Sequence, residues 1–109
     1  MPGTLAVSQG GTPPARTLWY LRIESMAAEP LFERNYPGQP IAQSRLLEPG
    51  EYRVIAWHRR CSGTCPSSGE AGLGPLEQVC GAKITIAPRT RTAVTVAIDN
   101  QGACAMKVT

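Results

Sequence analysis

The chain of 109 residues is poor in the side chains on which acid–base catalysis depends. It has one histidine, His58, and one aspartate, Asp99, and its other acidic residues are glutamates. No segment approaches the roughly 18 consecutive apolar residues that span a bilayer, so no membrane span is expected. The net charge of +3 comes mainly from arginines scattered along the chain, with no stripe that would follow a phosphate backbone. A nucleic-acid partner is therefore not expected.

Helix-forming runs are also absent, whereas turn-forming residues are abundant. The chain holds 10 prolines and 11 glycines. Short runs rich in Val, Ile, Thr and Tyr lie between these breakers, a pattern typical of an all-β protein. The length fits a single domain. We therefore predict a monomeric, two-sheet antiparallel β-sandwich of six or seven short strands.

Strand positions follow from the alternation of apolar and polar residues. Residues 18–24 place Trp19, Leu21 and Ile23 on one face, as expected of a half-buried strand. Residues 1–16 are rich in Gly, Pro, Ser and Thr and predict a flexible arm or linker, so the domain is expected to occupy 17–109. A short edge strand is expected around residues 5–7. Further strands are expected at 41–47, 51–60, 82–86, 92–98 and 103–108. We expect Leu31, Phe32 and Tyr36 to close one end of the core.

The four cysteines, Cys61, Cys65, Cys80 and Cys104, form an even count in a small chain with a thin core. Two disulfides formed in an oxidising compartment are the usual solution for such a domain. The alternative is a zinc site of four thiolates, but such sites favour two tight C-x2-C pairs, and this chain has one C-x3-C pair. We predict two disulfides, no metal and no cofactor, in a protein that is secreted or held in the cell envelope.

Three disulfide pairings are possible. Loop-closure entropy gives about 7 kcal/mol both to Cys61–Cys104 with Cys65–Cys80 and to Cys61–Cys80 with Cys65–Cys104, against about 5.5 kcal/mol for Cys61–Cys65 with Cys80–Cys104. Residues 62–79 lack a strand pattern, and a structureless loop of that length needs to be pinned. We therefore prefer Cys65–Cys80, which closes this loop on itself, with Cys61–Cys104 joining the ends of two strands.

A short motif at the start of the clearest strand suggests a family. Residues 47–54 read L-x-P-G-x-Y-x-V, and they are followed by the C-x-G-x-C of Cys61 to Cys65 and a third cysteine at Cys80. The first motif resembles that of bacterial carboxypeptidase-regulatory-like domains, also called transthyretin-like or prealbumin-like, and the second is similar to that of small secreted actinobacterial domains. Over residues 17–108 the resemblance implies a transthyretin-like sandwich acting as a non-catalytic accessory or adhesive module.

His58 could serve as a general base only with a proton-transfer partner in reach. The serines of the cysteine loop (Ser62, Ser67 and Ser68) and Asp99 permit a Ser-His-Asp arrangement, but no G-x-S-x-G elbow accompanies them. We therefore expect His58 to be a solvent-exposed residue of a surface strand and the protein not to be an enzyme.

The strand at 51–60 places Arg53, Trp57 and Arg59 on the face opposite Tyr52. On an outer surface, an indole flanked by two guanidiniums could bind a sugar ring or an anionic polymer such as a cell-wall glycan. The alternative is that Trp57 lies beneath the loop at 62–79 in a satellite core cluster. Trp19 is expected in the core, and Tyr20 on an ordinary solvated face.

Two functions follow from these features. The first is a non-enzymatic secreted or cell-envelope module that binds an unknown protein or cell-wall glycan through Trp57, its neighbouring arginines and the loop at 62–79. The second is a secreted protease inhibitor that presents the disulfide-pinned loop at 62–79 to a protease.

Overall fold

The computed structural model describes residues 1–10, 16–66, 72–98 and 103–109, and these residues form an all-β protein. The predicted two-sheet sandwich is confirmed, with eight strands rather than six or seven. Across these ranges no helix is long and apolar enough to cross a membrane. The strands are β1 (Gly3–Gln9), β2 (Thr17–Ser25), β3 (Pro30–Pro37), β4 (Ala42–Leu47), β5 (Gly50–Cys61), β6 (Leu73–Ile86), β7 (Arg91–Ile98) and β8 (Cys104–Val108).

The strands form two four-stranded sheets. Sheet 1 has the order β4-β1-β7-β8, and sheet 2 has the order β3-β2-β5-β6. Every pairing is antiparallel except that of β1 with β7, which is parallel. Since only closed barrels lack edges, this arrangement leaves β3, β4, β6 and β8 as edge strands.

The N-terminal residues do not form the predicted flexible arm. Strand β1 lies in the middle of sheet 1, between β4 and β7, and its Leu5 and Val7 are buried in the core. The composition of residues 1–16 did not predict this strand, because its partner β7 begins at Arg91, far away in the sequence, and local composition does not show such a pairing. Residues 11–15, the rest of the predicted arm, lie outside the described residues.

The core follows the predicted period of two residues along each strand. Trp19, Leu21 and Ile23 of β2 are fully buried against residues of the facing sheet. Side chains at alternate positions point to one face of a strand, so each strand contributes its apolar set to the space between the sheets. The other buried members of this core are Leu5, Val7, Tyr36, Ile41, Val54, Ala56, Cys80, Ile84, Ile86, Val94 and Val96.

Strand β3 was absent from the sequence-based prediction because it is an edge strand in which half of the residues are exposed and only one is buried. Its pattern is carried by Tyr36, which is buried, and Phe32, which packs against the core from a half-buried position. These two side chains plug the core as predicted, whereas Leu31 is exposed.

Strand β6 takes up much of the predicted cysteine loop. It begins at Leu73 and pairs with β5. A β-bulge interrupts the pairing, since Trp57 faces Val79 and His58 faces Glu77, which leaves Gln78 as an extra residue with φ of 41°. The bulge shifts the alternation of inward and outward side chains by one residue. The residues before the bulge therefore do not continue the alternating pattern of residues 82–86, and that pattern did not predict them as part of the strand.

The predicted disulfide pairing is wrong, although all four cysteines are bonded as disulfides. Cys61 pairs with Cys65 across a tight turn, and Cys80 of β6 pairs with Cys104 of β8, with Cα atoms 5.2 and 5.5 Å apart respectively. Cys80 and Cys104 both sit at core-facing positions where the edges of the two sheets meet. A disulfide can form only between cysteines whose Cα atoms lie within about 7 Å of each other. The pairing therefore follows from which cysteines the strands bring together, and the larger loop entropy of the other pairings does not change it. No cysteine remains as a thiolate, so the zinc alternative is also excluded.

Candidate binding face on sheet 2

The three residues predicted to form a binding patch lie on the outer face of sheet 2. Arg53, Trp57 and Arg59 alternate along β5 on the side away from the core. Trp57 is half-buried there and lines an open groove. Residues 67–71 of the connection between β5 and β6 lie outside the described residues.

Trp57 is stacked on Tyr20, which faces it directly from β2. The ring centroids are 5.2 Å apart and the ring planes differ by 6°. This separation of parallel rings is an offset stack, which the quadrupoles of aromatic rings favour over a direct face-to-face sandwich. The pair is a pre-ordered aromatic surface, because each ring limits the rotation of the other.

A groove of about 440 Å³ runs beside the aromatic pair. Its lining includes the two rings together with Glu33, Arg34 and Asn35 of β3. Asn35 faces Tyr20 across the β2–β3 pairing. The groove thus combines an aromatic wall with a carboxylate and an amide, within the size range of small-ligand sites in proteins. The guanidinium of Arg34 lies on the other side of β3, 5.2 Å from the centre of the buried Tyr36 ring. Tyr20 was predicted only as part of a solvated face, and Asn35 was missed, because the strand register that joins them to Trp57 cannot be read from composition.

The two arginines predicted to flank Trp57 are engaged with other protein groups. Arg53 lies 3.5 Å from Glu24, and Arg59 Nε donates a hydrogen bond of 2.7 Å to the carbonyl oxygen of Gly74. Glu24 itself is buried. These two arginines therefore stabilise the face, while the groove is lined by other residues.

Arg22 connects this charge network to the rim of the groove. Its Nε lies 3.0 Å from Glu24, at an angle that makes the contact an ion pair rather than a hydrogen bond. Its Nη1 donates a hydrogen bond of 3.0 Å to Oε1 of Glu33. Since Glu33 also lines the groove, Arg22 fixes the position of one polar wall.

Two apolar residues of β6 extend the face beyond Trp57. Val79 faces Trp57 and Leu76 faces Arg59, and both side chains are more than half exposed, at 57% and 55%. Exposed apolar residues that adjoin an aromatic pair form a continuous patch, which is a common sign of a binding surface.

His58 does not lie on a solvent-exposed face, contrary to expectation. It points inward with 6% of its surface exposed, and its ring lies 4.6 Å from that of Trp19. Burial lowers the pKa of His58, while Glu77, with Oε2 3.9 Å from Nε2, opposes that shift and Arg60 adds to it. Burial therefore favours the neutral form of His58, which packs against Trp19 in the core.

The described residues bring no catalytic constellation together around His58. Ser62 lies in the turn after β5, and Ser67, Ser68 and Asp99 lie outside the described residues. Within the described ranges no group of three or more His, Cys, Asp or Glu side chains is arranged to hold a metal. The chain matches no family model, no curated protein and no solved structure.

Proposed function

We propose that this protein is a non-enzymatic, secreted or cell-envelope module that binds a glycan on the outer face of sheet 2. The observation that carries the proposal is the stacked pair of Tyr20 and Trp57 beside a groove of about 440 Å³. The transthyretin-like resemblance agrees with an accessory module of this kind.

The chemistry of the groove matches that of a sugar ring. A pyranose presents apolar C–H groups on its faces and hydroxyl groups around its edge. The aromatic pair offers a surface for the C–H groups, and Asn35 and Glu33 offer the donors and acceptors that hydroxyl groups require. A ligand with apolar faces and a polar edge therefore fits better than a purely apolar one.

The disulfides bear on where such a module would work. Two disulfides in a small domain suggest an oxidising, extracellular environment. Cell-wall and surface glycans are found on that side of the membrane. Secretion to that compartment is part of the proposal.

The protease-inhibitor alternative has less support than the glycan-binding proposal. It required a loop at 62–79 closed by Cys65–Cys80, but β6 begins at Leu73 and Cys65 pairs with Cys61. Within the described part of that region, residues 73–79 belong to the paired strand β6.

The proposal is tested by binding the protein to an array of bacterial glycans and to insoluble peptidoglycan. Trp57→Ala should weaken binding by roughly tenfold, which corresponds to about 1.4 kcal/mol, whereas Trp57→Phe should keep most of it. Val108→Ala, which removes an exposed apolar side chain from sheet 1, is the matched control and should bind normally. Equal binding by wild type and Trp57→Ala, or no binding to any glycan, would refute the proposal.

A further inference from the structure

The four edge strands of the sandwich differ in how their open edges are protected. Natural proteins protect sheet edges with proline, charge, bulges or covering elements, because an open edge can pair with another strand. Strand β6 carries Pro75 and the bulge at Gln78, and the Cys80–Cys104 disulfide ties it to β8. Strand β3 has a proline at each end and a Glu33–Arg34 pair between them.

Strand β4 lacks the proline, the bulge and the disulfide found on other edge strands, and Arg45 is its one charged residue. Its sequence, AQSRLL, contains no proline, its pairing with β1 shows no bulge, and it carries no disulfide. Its Leu46 is 70% exposed, the highest exposure among the large apolar residues of the described strands. Among the edge strands that the structure describes, β4 is therefore the one most open to an added strand.

A pocket of about 410 Å³, with apolar and charged lining residues, lies between β4 and β3 on the open side of the sandwich. Leu31 and Phe32 line it from β3, Leu47 lines it from β4, and Tyr52 lines it from β5. Side chains alternate along an added strand, so such a pocket at the end of β4 would receive one side chain of that strand.

Arg45 gives the pocket a charged wall. Its guanidinium carbon lies 4.7 Å from the centre of the Phe32 ring, and it forms no ion pair with any carboxylate that the structure describes. Arg45 and Leu47 share the inward face of β4, two positions apart. A guanidinium at this place would complement an acidic side chain of an added strand.

We infer that β4 and this pocket bind an extended peptide segment of a partner protein, which adds to sheet 1 as a fifth strand. An antiparallel segment places an apolar residue opposite Leu47, in the pocket, and an acidic residue two positions later, opposite Arg45. Its pattern, read from the N-terminus, is apolar-x-acidic. The reverse order, acidic-x-apolar, would place the acidic residue opposite Leu47, in the pocket. It is disfavoured because Glu48 also lines the pocket and would repel that residue.

Charge distinguishes this partner from a second copy of the chain. Two β4 strands paired antiparallel would bring the Arg45 side chains of both copies directly or diagonally across from each other, where like charges destabilise a sheet. Each copy also carries a net charge of +3. The proposed peptide site lies on sheet 1, whereas the groove proposed to bind a glycan lies on sheet 2. The two proposals can therefore be tested independently of each other.

The test is an NMR titration of the full chain with a synthetic peptide of β-branched residues that contains one Leu and, two positions later, one Glu. We expect amide shifts confined to residues 42–47 and to the pocket residues of β3. Arg45→Glu should weaken binding of this peptide roughly tenfold. The same variant should prefer a second peptide, in which Lys replaces the Glu, over the first. Lys107→Glu, the same charge change on the far edge strand of sheet 1, should bind as wild type does.

Four results would overturn the inference. They are no shifts at about 1 mM peptide, shifts elsewhere on the protein, an unchanged preference in Arg45→Glu, and concentration-dependent dimerisation through β4 that the peptide does not reverse. If Arg45→Glu does not give a folded spectrum, Arg45→Gln replaces it and should lose the preference for Glu over Lys.

Discussion

The imidazole of His58 lies against the indole of Trp19 in the core, with ring centroids 4.6 Å apart. The pairing takes the one histidine of the chain away from solvent and lowers its pKa by burial. Its protonation is thereby linked to the stability of the fold.

Stability should fall as the pH is lowered through the range below about 6.5, the pKa of an unfolded histidine. Because the folded pKa of His58 is lowered, the unfolded chain binds more protons in that range, and protonation favours unfolding. The midpoint of urea denaturation should therefore drop between pH 7.5 and 5 by more in the wild type than in His58→Phe, which keeps a ring against Trp19. Identical pH slopes in the two proteins would contradict this assignment.

The disulfide pairing can be mapped by digestion of the unreduced protein with trypsin and a glutamate-specific protease. Cleavage after Glu70 and Glu77 separates Cys80 from Cys61 and Cys65. The structure predicts fragment 61–70 closed by its own disulfide, and fragment 78–83 joined to fragment 92–107. A disulfide between fragments 61–70 and 78–83 would show that the pairing is wrong.

The two disulfides should contribute unequally to stability. Cys80–Cys104 closes a loop with a sequence separation of 24, and Cys61–Cys65 one with a separation of 4. Chain entropy then assigns about 3.5 kcal/mol to the first and about 2 kcal/mol to the second. Urea denaturation of the two double Cys→Ser variants should show a larger loss of stability for the variant that lacks Cys80–Cys104. The reverse order would contradict this prediction.

Leu5 tests whether the N-terminal residues belong to the core. Leu5→Ala should lower the free energy of unfolding by about 2–5 kcal/mol, because the side chain is fully buried in the central strand of sheet 1. Ser8→Ala, at an exposed position of the same strand, is the control and should change it by less than about 0.5 kcal/mol. An effect near zero for Leu5→Ala would restore the flexible arm that composition suggests.

Sequence reasoning succeeded where a strand carries its own pattern and failed where the outcome depends on a distant partner. The alternation through Trp19, Leu21 and Ile23 identified the inner face of β2 without further information. Strand β1 was expected only as a short edge strand around residues 5–7. Its central place in sheet 1 could not be found in this way, because it depends on a parallel partner that begins at Arg91.

The same limit explains the outcome at the candidate site. Period two places Trp57 on the outer face of β5 and Tyr20 on the outer face of β2, but only the register brings the rings together. The bulge at Gln78 likewise places Glu77 opposite His58, in a region that the sequence predicted to be a loop. Register and bulges depend on contacts between distant segments, which a single sequence does not display.

The central claim, that the Tyr20–Trp57 face binds a glycan, is tested most directly by the two tryptophan indole N–H signals in an NMR spectrum. The signals are assigned with Trp57→Phe and followed during titration with soluble peptidoglycan fragments or a glycan selected from the array. We predict that the Trp57 signal shifts on binding while that of Trp19, fully buried in the core, stays in place. Glycan binding that leaves the Trp57 signal unmoved would contradict the account.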